Sequence, residues 1–380
     1  MPSDLDVLLC TDYLPPSDGG VEHVVDQLAR RLTAQGYDVG VFALSAPDTT
    51  TDLVGHPDIA VTTARRIDLT DYVGLQSAVS PGAVREFKRA LDAYDPDIVH
   101  VHNRFFFSSF LGLLYAPAYD YALVTSLHLG SLDHLDGAGG FAADIFQSVF
   151  SKRLVRHSDA VICVSDAVAA VASELGADPA RVHVVRNAVD MEQFDVAPGT
   201  FDKTLLYIGR LVSNNGPQDL LQAVPEIVAA HPETTVHVVG SGTLQSTLEA
   251  DIAALGIEDA VTMHGFVDDI TEMYAMADVF CRPSYSEGLP LTLLESMATY
   301  TVPVVTPVAG AEEVVSDGTT GCFVDVGAPD TIARTVNSLF DDPDRVATMA
   351  RAAREHVKAN HSWTQRTQKV MNVYEGIVTE

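Results

Sequence analysis

The chain has 380 residues, 47% of them hydrophobic, which is enough for two ordinary domains with separate cores. Its 52 acidic residues against 23 basic ones give a formal net charge of −29, a field that repels nucleic acid and anionic membranes at low salt. The acidic residues are spread along the whole chain. This reads as adaptation to a salty cytoplasm, where a short Debye length screens self-repulsion, ahead of an acidic face for a basic partner.

The opening MPSDLDVLLC has no basic n-region, so a signal peptide is not expected. Leu5–Cys10 reads as a buried strand, Val21–Ala34 as an amphipathic helix and Val39–Leu44 as the next strand. Between the first strand and helix lies TDYLPPSDGGVEH, where Gly19 and Gly20 let backbone come close to a phosphate, or simply make a turn. Asp97–Val101 is another buried strand, and the polar groups His100, His102 and Asn103 lie at its carboxyl end, where ligands of open parallel sheets gather. His-x-His spacing with no third ligand nearby does not make a zinc site.

Arg104–Ala116 is markedly apolar and is expected to be a core helix, or in part an apolar surface for an acceptor or membrane. The longest apolar stretch, Phe105–Ala118, is interrupted by Ser108 and Ser109 and is too short to span a bilayer. Ala122–Leu127 is a strand ending at His128, either a structural histidine or a hydrogen-bonding contact for a ligand hydroxyl or developing charge. Ala160–Val164 is a strand capped by Ser165 and Asp166, and Val182–Val185 leads into Arg186-Asn187-Ala188-Val189-Asp190. Residues 187–203 lack periodicity and read as a linker.

In the second half, Leu205–Ile208 precedes Gly209-Arg210-Leu211-Val212-Ser213-Asn214-Asn215-Gly216 and a helix over Gln218–Val228. A guanidinium at Arg210 suits bidentate contact with phosphate. Val236–Val239 ends in Gly240-Ser241-Gly242, and Val261–Met263 runs into His264-Gly265-Phe266-Val267. Asp268 and Asp269 are expected to cap a helix over Ile270–Met276 and not to bind metal. Then comes DVFCRPSYSEGLPLTLLESMATYTVPVV. Val279, Phe280 and Cys281 form a short buried strand, residues 283–288 a turn, and a helix follows with Pro290 at its first position and Leu291, Leu294, Met297 and Ala298 inward. Glu287 stands before that helix and Glu295 on it, and the free N–H groups at its start suit an anion. The final helices, Ala328–Leu339, Arg345–Asn360 and Trp363–Ile377, carry no visible chemistry. The four cysteines (10, 163, 281 and 322) lie in apolar runs without CxxC pairing and read as buried thiols in a reducing compartment.

The run from Asp278 to Gly321 resembles the Glu-x7-Glu signature of retaining GT-B glycosyltransferases, the group 1 (family 4) type. Pro303-Val304-Val305 and Gly310…Glu313…Asp317-Gly318…Gly321 are similar to the family's next strand and loop. Further matches are the loop at Gly19-Gly20, the segment Val124–His128, Asn187-Ala188-Val189-Asp190 with Phe194, Gly209-Arg210-Leu211 and His264–Val267, so the resemblance covers nearly the whole chain.

It implies an α/β GT-B fold of two facing Rossmann-like domains with parallel sheets and an interdomain cleft. Residues 1–186 would form the acceptor-side domain, 187–203 the linker, 204–360 the nucleotide-sugar domain and 361–380 a helix crossing back. Catalysis would rest on Glu287, Arg210 and His128. Donor contacts would come from Gly20, Arg210, Asn215, Phe266, Val267, Glu287, Gly288, Leu289 and Glu295, with Gly19, His102 and Asn103 on the acceptor side. The implied reaction moves a sugar from a nucleotide sugar to a hydroxyl of a glycan, lipid-linked glycan or metabolite, without metal or resident cofactor. The protein would be cytoplasmic, without nucleic acid, with peripheral contact to the inner membrane face as an option.

Three positions depart from the pattern. Asn215 stands where the family has a clamp lysine, Ala188 replaces a glycine, and a glycine after Glu295 is missing. Losing a cation that acts in the transition state can cost on the order of 3 kcal/mol. A weakened or non-catalytic nucleotide-sugar-binding homologue is therefore the rival reading, followed by a nucleotide-sugar epimerase of the same fold.

Overall fold

A computed structural model describes residues 5–14, 19–45, 59–68, 78–129 and 147–378. The chain divides into two compact units, Met1–Arg186 with Arg366–Glu380, and Asn187–Gln365.

The first unit alternates strands and helices: β1 (Asp6–Thr11), α1 (Gly20–Ala34), β2 (Asp38–Ser45), β3 (Ala60–Arg65), α2 (Ala83–Tyr94), β4 (Ile98–His102), α3 (Phe107–Tyr115), β5 (Ala122–Leu127), α4 (Lys152–His157), β6 (Ala160–Cys163), α5 (Asp166–Glu174) and β7 (Val182–Val184). The strands form one sheet in the order β3-β2-β1-β4-β5-β6-β7, with every pairing parallel. Parallel strands covered on both faces need continuous apolar runs rather than alternation. Val7, Leu9, Val41 and Ile98 accordingly pack on one face with Leu28 and Leu32 of α1. Leu8, Cys10, Phe42 and Val99 pack on the other with Phe87 of α2 and Leu111 of α3.

The second unit repeats the plan with β8 (Thr204–Ile208), α6 (Pro217–Ala230), β9 (Thr235–Val239), α7 (Gln245–Leu255), β10 (Val261–Gly265), α8 (Thr271–Ala275), β11 (Val279–Arg282), α9 (Leu291–Ala298), β12 (Val302–Val305), α10 (Ala311–Val314), β13 (Cys322–Phe323), α11 (Pro329–Phe340) and α12 (Pro343–Asn360). Its sheet runs β10-β9-β8-β11-β12-β13, again parallel. Residues 187–203 pack with this unit, where Asn187, Ala188, Val189 and Phe194 are buried. The last helix, α13 (Trp363–Val378), leaves it at Arg366, and its Val370, Val373 and Tyr374 join the core of the first unit. All four cysteines are buried and unbridged.

In each sheet the strand order reverses once, between β1 and β4 and between β8 and β11. At such a point the connections leave in opposite directions and open a crevice at the strands' carboxyl ends.

Three local expectations change. Only Phe107–Tyr115 of the apolar 104–116 run is α-helical, and its Phe110 and Leu114 are 38% and 48% exposed. The face turned to the sheet carries Ser108, Ser109, Leu111 and Gly112, and a Cβ on Gly112 would collide with Val101 of β4. Small residues bring α3 close to the sheet and leave large apolar ones outside. Pro290 is the N-cap of α9 and not its first residue, with extended backbone (φ −68°, ψ 135°). Leu291 is half-buried, whereas Leu293 through Ala298 are all buried, because β12 and α12 both pack on α9.

Asp12, just past β1, is buried, and its two oxygens accept from the amides of Phe107 (2.6 Å) and Ser108 (2.8 Å) at the start of α3. Burial pushes its carboxyl up to about 7, against the lowering effect of those amides and of Arg66. Asp12→Ala leaves two buried amides without an acceptor and should destabilise the protein by roughly 1–3 kcal/mol. Thermal unfolding of Asp12→Ala beside Asp12→Asn checks this, the asparagine variant being the milder because it keeps one acceptor oxygen.

Candidate functional site

The loop after β8 carries Gly209 and Arg210. Gly209 N–H donates to Val239 (3.0 Å) and Leu211 N–H to Ser241 (2.8 Å), which stitches this loop to the one after β9. The Arg210 side chain is exposed and has no hydrogen bond or ion pair among the described residues. Its carbonyl is braced by Tyr207 Oη (3.1 Å) and Asn215 Nδ2 (3.0 Å). Asn215 is itself buried, in the short turn Ser213–Asn215. Its amide is turned onto the Arg210 backbone and braces the loop after β8.

The loop after β11 lies against this turn. Tyr285 N–H donates to Asn214 O (2.7 Å), and Asn214 Nδ2 donates to Ser286 O (2.8 Å). Gly216, at φ 72°, faces the Pro283 carbonyl where any Cβ would overlap it. Glu287 meets Arg282 Nη2 at 2.5 Å through Oε1, which also accepts from Ser284 Oγ at 2.9 Å. Arg282 reaches Thr292 Oγ1 (2.7 Å) and Ser284 Oγ (3.3 Å) with its other nitrogens.

The Gly288 carbonyl is held by Gly310 N–H (2.8 Å) and that of Leu289 by Asn187 Nδ2 (2.7 Å). The N–H groups of Gly288 and Leu289 donate to nothing among the described residues. Two successive amides unpaired among the described residues, ahead of a helix start, are donors of the kind that suit an anion. Glu295, on α9, is buried and accepts from Tyr274 Oη (3.0 Å). Burial raises its carboxyl to about 7, opposed by that hydrogen bond and by the charge of Arg282. Phe266 is half exposed and Val267 half-buried, just after Gly265 at φ 67°.

In the first unit the expected residues cluster at the carboxyl ends of β1, β4 and β5. Gly19 is the N-cap of α1 and Gly20 its first residue, with no side-chain cap; a Cβ on Gly19 would strike the Glu22 carboxylate. The neighbouring Pro15 and Pro16 lie outside the described residues. His100, His102 and His128 stack in sequence, with ring centroids 4.3 Å and 5.3 Å apart. His100 bonds Tyr374 Oη (2.6 Å) and Ser126 Oγ (2.8 Å), and His102 Nδ1 lies 3.1 Å from His128 Nε2. Burial, helped by the charge of Arg366, lowers His100 and His128 to about 3, and burial with its histidine neighbours and Arg366 lowers His102 well below the usual imidazole value, so all three are neutral. Asn103 adopts φ 67°, and its N–H donates to Ser126 O (2.8 Å). Among the described residues no three His, Cys, Asp or Glu side chains converge as a metal site, and no helix is long and apolar enough to cross a membrane.

Residues 190–356 match the family model described as glycosyl transferases group 1, and residues 18–193 match that of glycosyltransferase family 4. The D-inositol 3-phosphate glycosyltransferase 2 of Catenulispora acidiphila is 30% identical over 94% of this chain and 90% of its own. The chain belongs to the group 1 glycosyl transferases. The glycogen synthase of Mycobacterium tuberculosis is 29% identical over 97% of this chain and 94% of its own. Among solved structures, the sucrose-phosphate synthase of Thermosynechococcus elongatus superposes with a TM-score of 0.86 at 20% identity, covering 99% of each chain. Anabaena HepE in complex with UDP and glucose gives 0.80 at 19%, covering 98% of this chain and 100% of that one. The fold is therefore GT-B.

Within this glycosyltransferase, Arg210, Asn215, Glu287, Gly288, Leu289 and Glu295 are brought together beside the switch point of the second sheet. Gly19, Gly20, His102, Asn103 and His128 lie at strand ends and a helix start of the first. Sequence reasoning missed Arg282, Tyr274 and Asp12. Arg282 did leave a signal, as a lone charge ending the apolar run Val279–Cys281.

The histidine pair also has a preferred proton. Only one hydrogen occupies the bond between His102 Nδ1 and His128 Nε2, and His102 Nε2 is buried without a partner. Among the described residues nothing accepts from His102 Nε2, and a buried N–H with no acceptor is worse than a bare lone pair, so this arrangement favours the hydrogen on His102 Nδ1, with His128 carrying its own on Nδ1. Nitrogen-15 correlation spectra of the histidine rings should show both as neutral Nδ1–H tautomers; an Nε2–H signature for His128 contradicts this.

Proposed function

We propose that the protein transfers a sugar from a nucleoside diphosphate sugar to a hydroxyl acceptor, with retention at the anomeric carbon and without a metal ion. The observation that carries this reading is the pair of amides at Gly288 and Leu289, unpaired among the described residues and flanked in sequence by Glu287 and Glu295, with the unengaged, exposed Arg210 guanidinium on the neighbouring loop at a switch point. These groups suit a departing diphosphate, whose negative charge grows as the glycosidic bond to phosphate breaks. The amides and the Arg210 guanidinium stabilise that charge in the place where other enzymes use a metal ion. Glu287 holds the sugar hydroxyls, and Glu295 accepts from the ribose. Phe266 and Val267 lie against the base, and His128 donates from Nδ1 to the sugar. As the acceptor oxygen bonds to the anomeric carbon, its proton passes to the leaving phosphate.

The names of the relatives support a hydroxyl acceptor and span a polymer, glycogen, and small molecules such as inositol phosphate. HepE, solved with UDP and glucose, supports a uridine donor. Gly19, His102 and Asn103 belong to the acceptor side of this reading. We place the protein in the cytoplasm, with the exposed Phe110, Leu114 and Val149 available for peripheral contact with the inner membrane face.

Calorimetric titration with UDP, GDP and ADP in molar potassium chloride tests the donor site. One nucleotide should bind saturably, and Arg210→Ala should weaken it about tenfold or more, as expected for a charge-assisted contact to phosphate. Failure of all three to bind a folded protein refutes the reading.

Glu295→Gln should weaken nucleotide binding, while Glu287→Gln should lower turnover more than binding. With its carboxyl near 7, Glu295 becomes a full acceptor only as pH rises through neutrality. Nucleotide affinity in the parent should therefore climb between pH 6 and 8 more steeply than in Glu295→Gln. Parallel pH profiles for the two proteins remove Glu295 from the ribose contact.

A further inference from the structure

Glu287 is poised with one oxygen engaged and one free. Oε1 takes both Arg282 Nη2 and Ser284 Oγ, while Oε2 has no partner among the described residues. The group that fixes this asymmetry is Arg282. Its three nitrogens go to three different residues: Nη2 to Glu287, Nη1 to Thr292 Oγ1 and Nε to Ser284 Oγ. Thr292 lies on the first turn of α9, and Tyr274 Oη lies 3.1 Å from its carbonyl and 3.0 Å from Glu295 Oε2, with one hydrogen shared between the two acceptors. One guanidinium thus links both carboxylates of the Glu-x7-Glu pair. It also lies under the phosphate loop, since a Cβ on Gly209 would come within 3.4 Å of Arg282 Cζ. Burial disfavours its charge, yet Glu287, Tyr207 and Tyr274 more than offset that, and Arg282 stays protonated.

We infer that Arg282 is a positioning residue for the sugar-binding carboxylate: it pins Glu287 through Oε1 so that Oε2 faces the transferred sugar. This rests on the nucleotide-sugar reading above and adds a residue that the Glu-x7-Glu spacing does not contain. A planar fork suits the task because Ser284, Thr292 and Glu287 lie in different directions, and a single ammonium does not reach all three in the same geometry.

The test compares UDP with UDP-glucose, by calorimetry, in the parent, Arg282→Lys, Glu287→Gln and the double variant. Arg282→Lys keeps the charge in its pocket and loses the fork. It should bind UDP within about twofold of the parent while its relative affinity for UDP-glucose falls about tenfold, the size of one hydrogen bond to a charged group. Glu287→Gln should show a similar fall, and the double variant should be no worse than either single one, since both remove the same contact. A residue that merely folds the turn would weaken both ligands together, and that result overturns the inference. So do multiplied losses in the double variant, or a Glu287→Gln protein whose relative affinity is unchanged. If the parent binds none of UDP, GDP and ADP, the nucleotide-site reading fails first and takes this inference with it; if it binds GDP or ADP instead, that nucleotide and its glucose conjugate take the place of UDP and UDP-glucose. If UDP binds normally and the ratio does not move, only the inference fails.

Discussion

A guanidinium buried at the carboxyl end of β11 is the constraint on which the second unit's site depends. Removing one partner of a buried ion pair typically costs about 3–5 kcal/mol, because the other charge is left without compensation. Arg282 and Glu287 therefore hold each other in one arrangement. Because Arg282 also bonds Ser284 and Thr292, that arrangement includes the loop after β11 and the first turn of α9. The loop in turn is bonded to the Asn214 turn, whose neighbour Asn215 braces the Arg210 carbonyl. The loop after β8 keeps braces of its own from Tyr207 and Asn215, so the pair orders the Glu287 turn and α9 directly and the Arg210 loop only at second hand.

The switch points explain why these particular residues meet. β8 and β11 are far apart in sequence but adjacent in the sheet, and so are β1 and β4. Their carboxyl ends point the same way because the strands are parallel. A residue just past β8, such as Arg210, must then lie beside one just past β11, such as Glu287. In the first unit the same rule sets Asp12, past β1, beside the start of α3, past β4, and sets His102 beside His128 across β4 and β5.

This division also marks how much could be read from the chain alone. The central strands were legible because strands buried on both faces must be continuously apolar, and Val7–Cys10, Val279–Cys281 and Leu205–Ile208 show that plainly. The motif residues were legible because turn glycines and paired glutamates recur at fixed spacing. What stayed hidden was pairing across distance. Nothing in the local pattern links Arg282 to Thr292 or Tyr274 to Glu295, and the Asp12 carboxylate finds its amides 95 and 96 residues away. The 104–116 segment misled for a different reason. Its sheet-facing side is mostly small, Ser108, Ser109 and Gly112 beside Leu111, while Phe110 and Leu114 turn outward, and composition alone cannot show which face turns inward. Pro290 shifted by one position because its ψ is extended, which ends the turn instead of beginning the helix.

The overall charge gives the local donors their weight. A protein at −29 repels an anionic nucleotide over a Debye length of about 10 Å at 0.1 M salt, and over only about 3 Å at 1 M. Concentrated salt removes the repulsion, but it equally removes any long-range attraction that a cluster of lysines could exert. Contacts at hydrogen-bonding distance survive such screening best. Fixed amides at Gly288 and Leu289 need no net charge to favour phosphate. Arg210 can act at contact because its backbone is already braced by Tyr207 and Asn215. Under the proposed reading, a buried asparagine at 215 in place of the family's lysine exchanges a mobile point charge for order in the loop that carries Arg210.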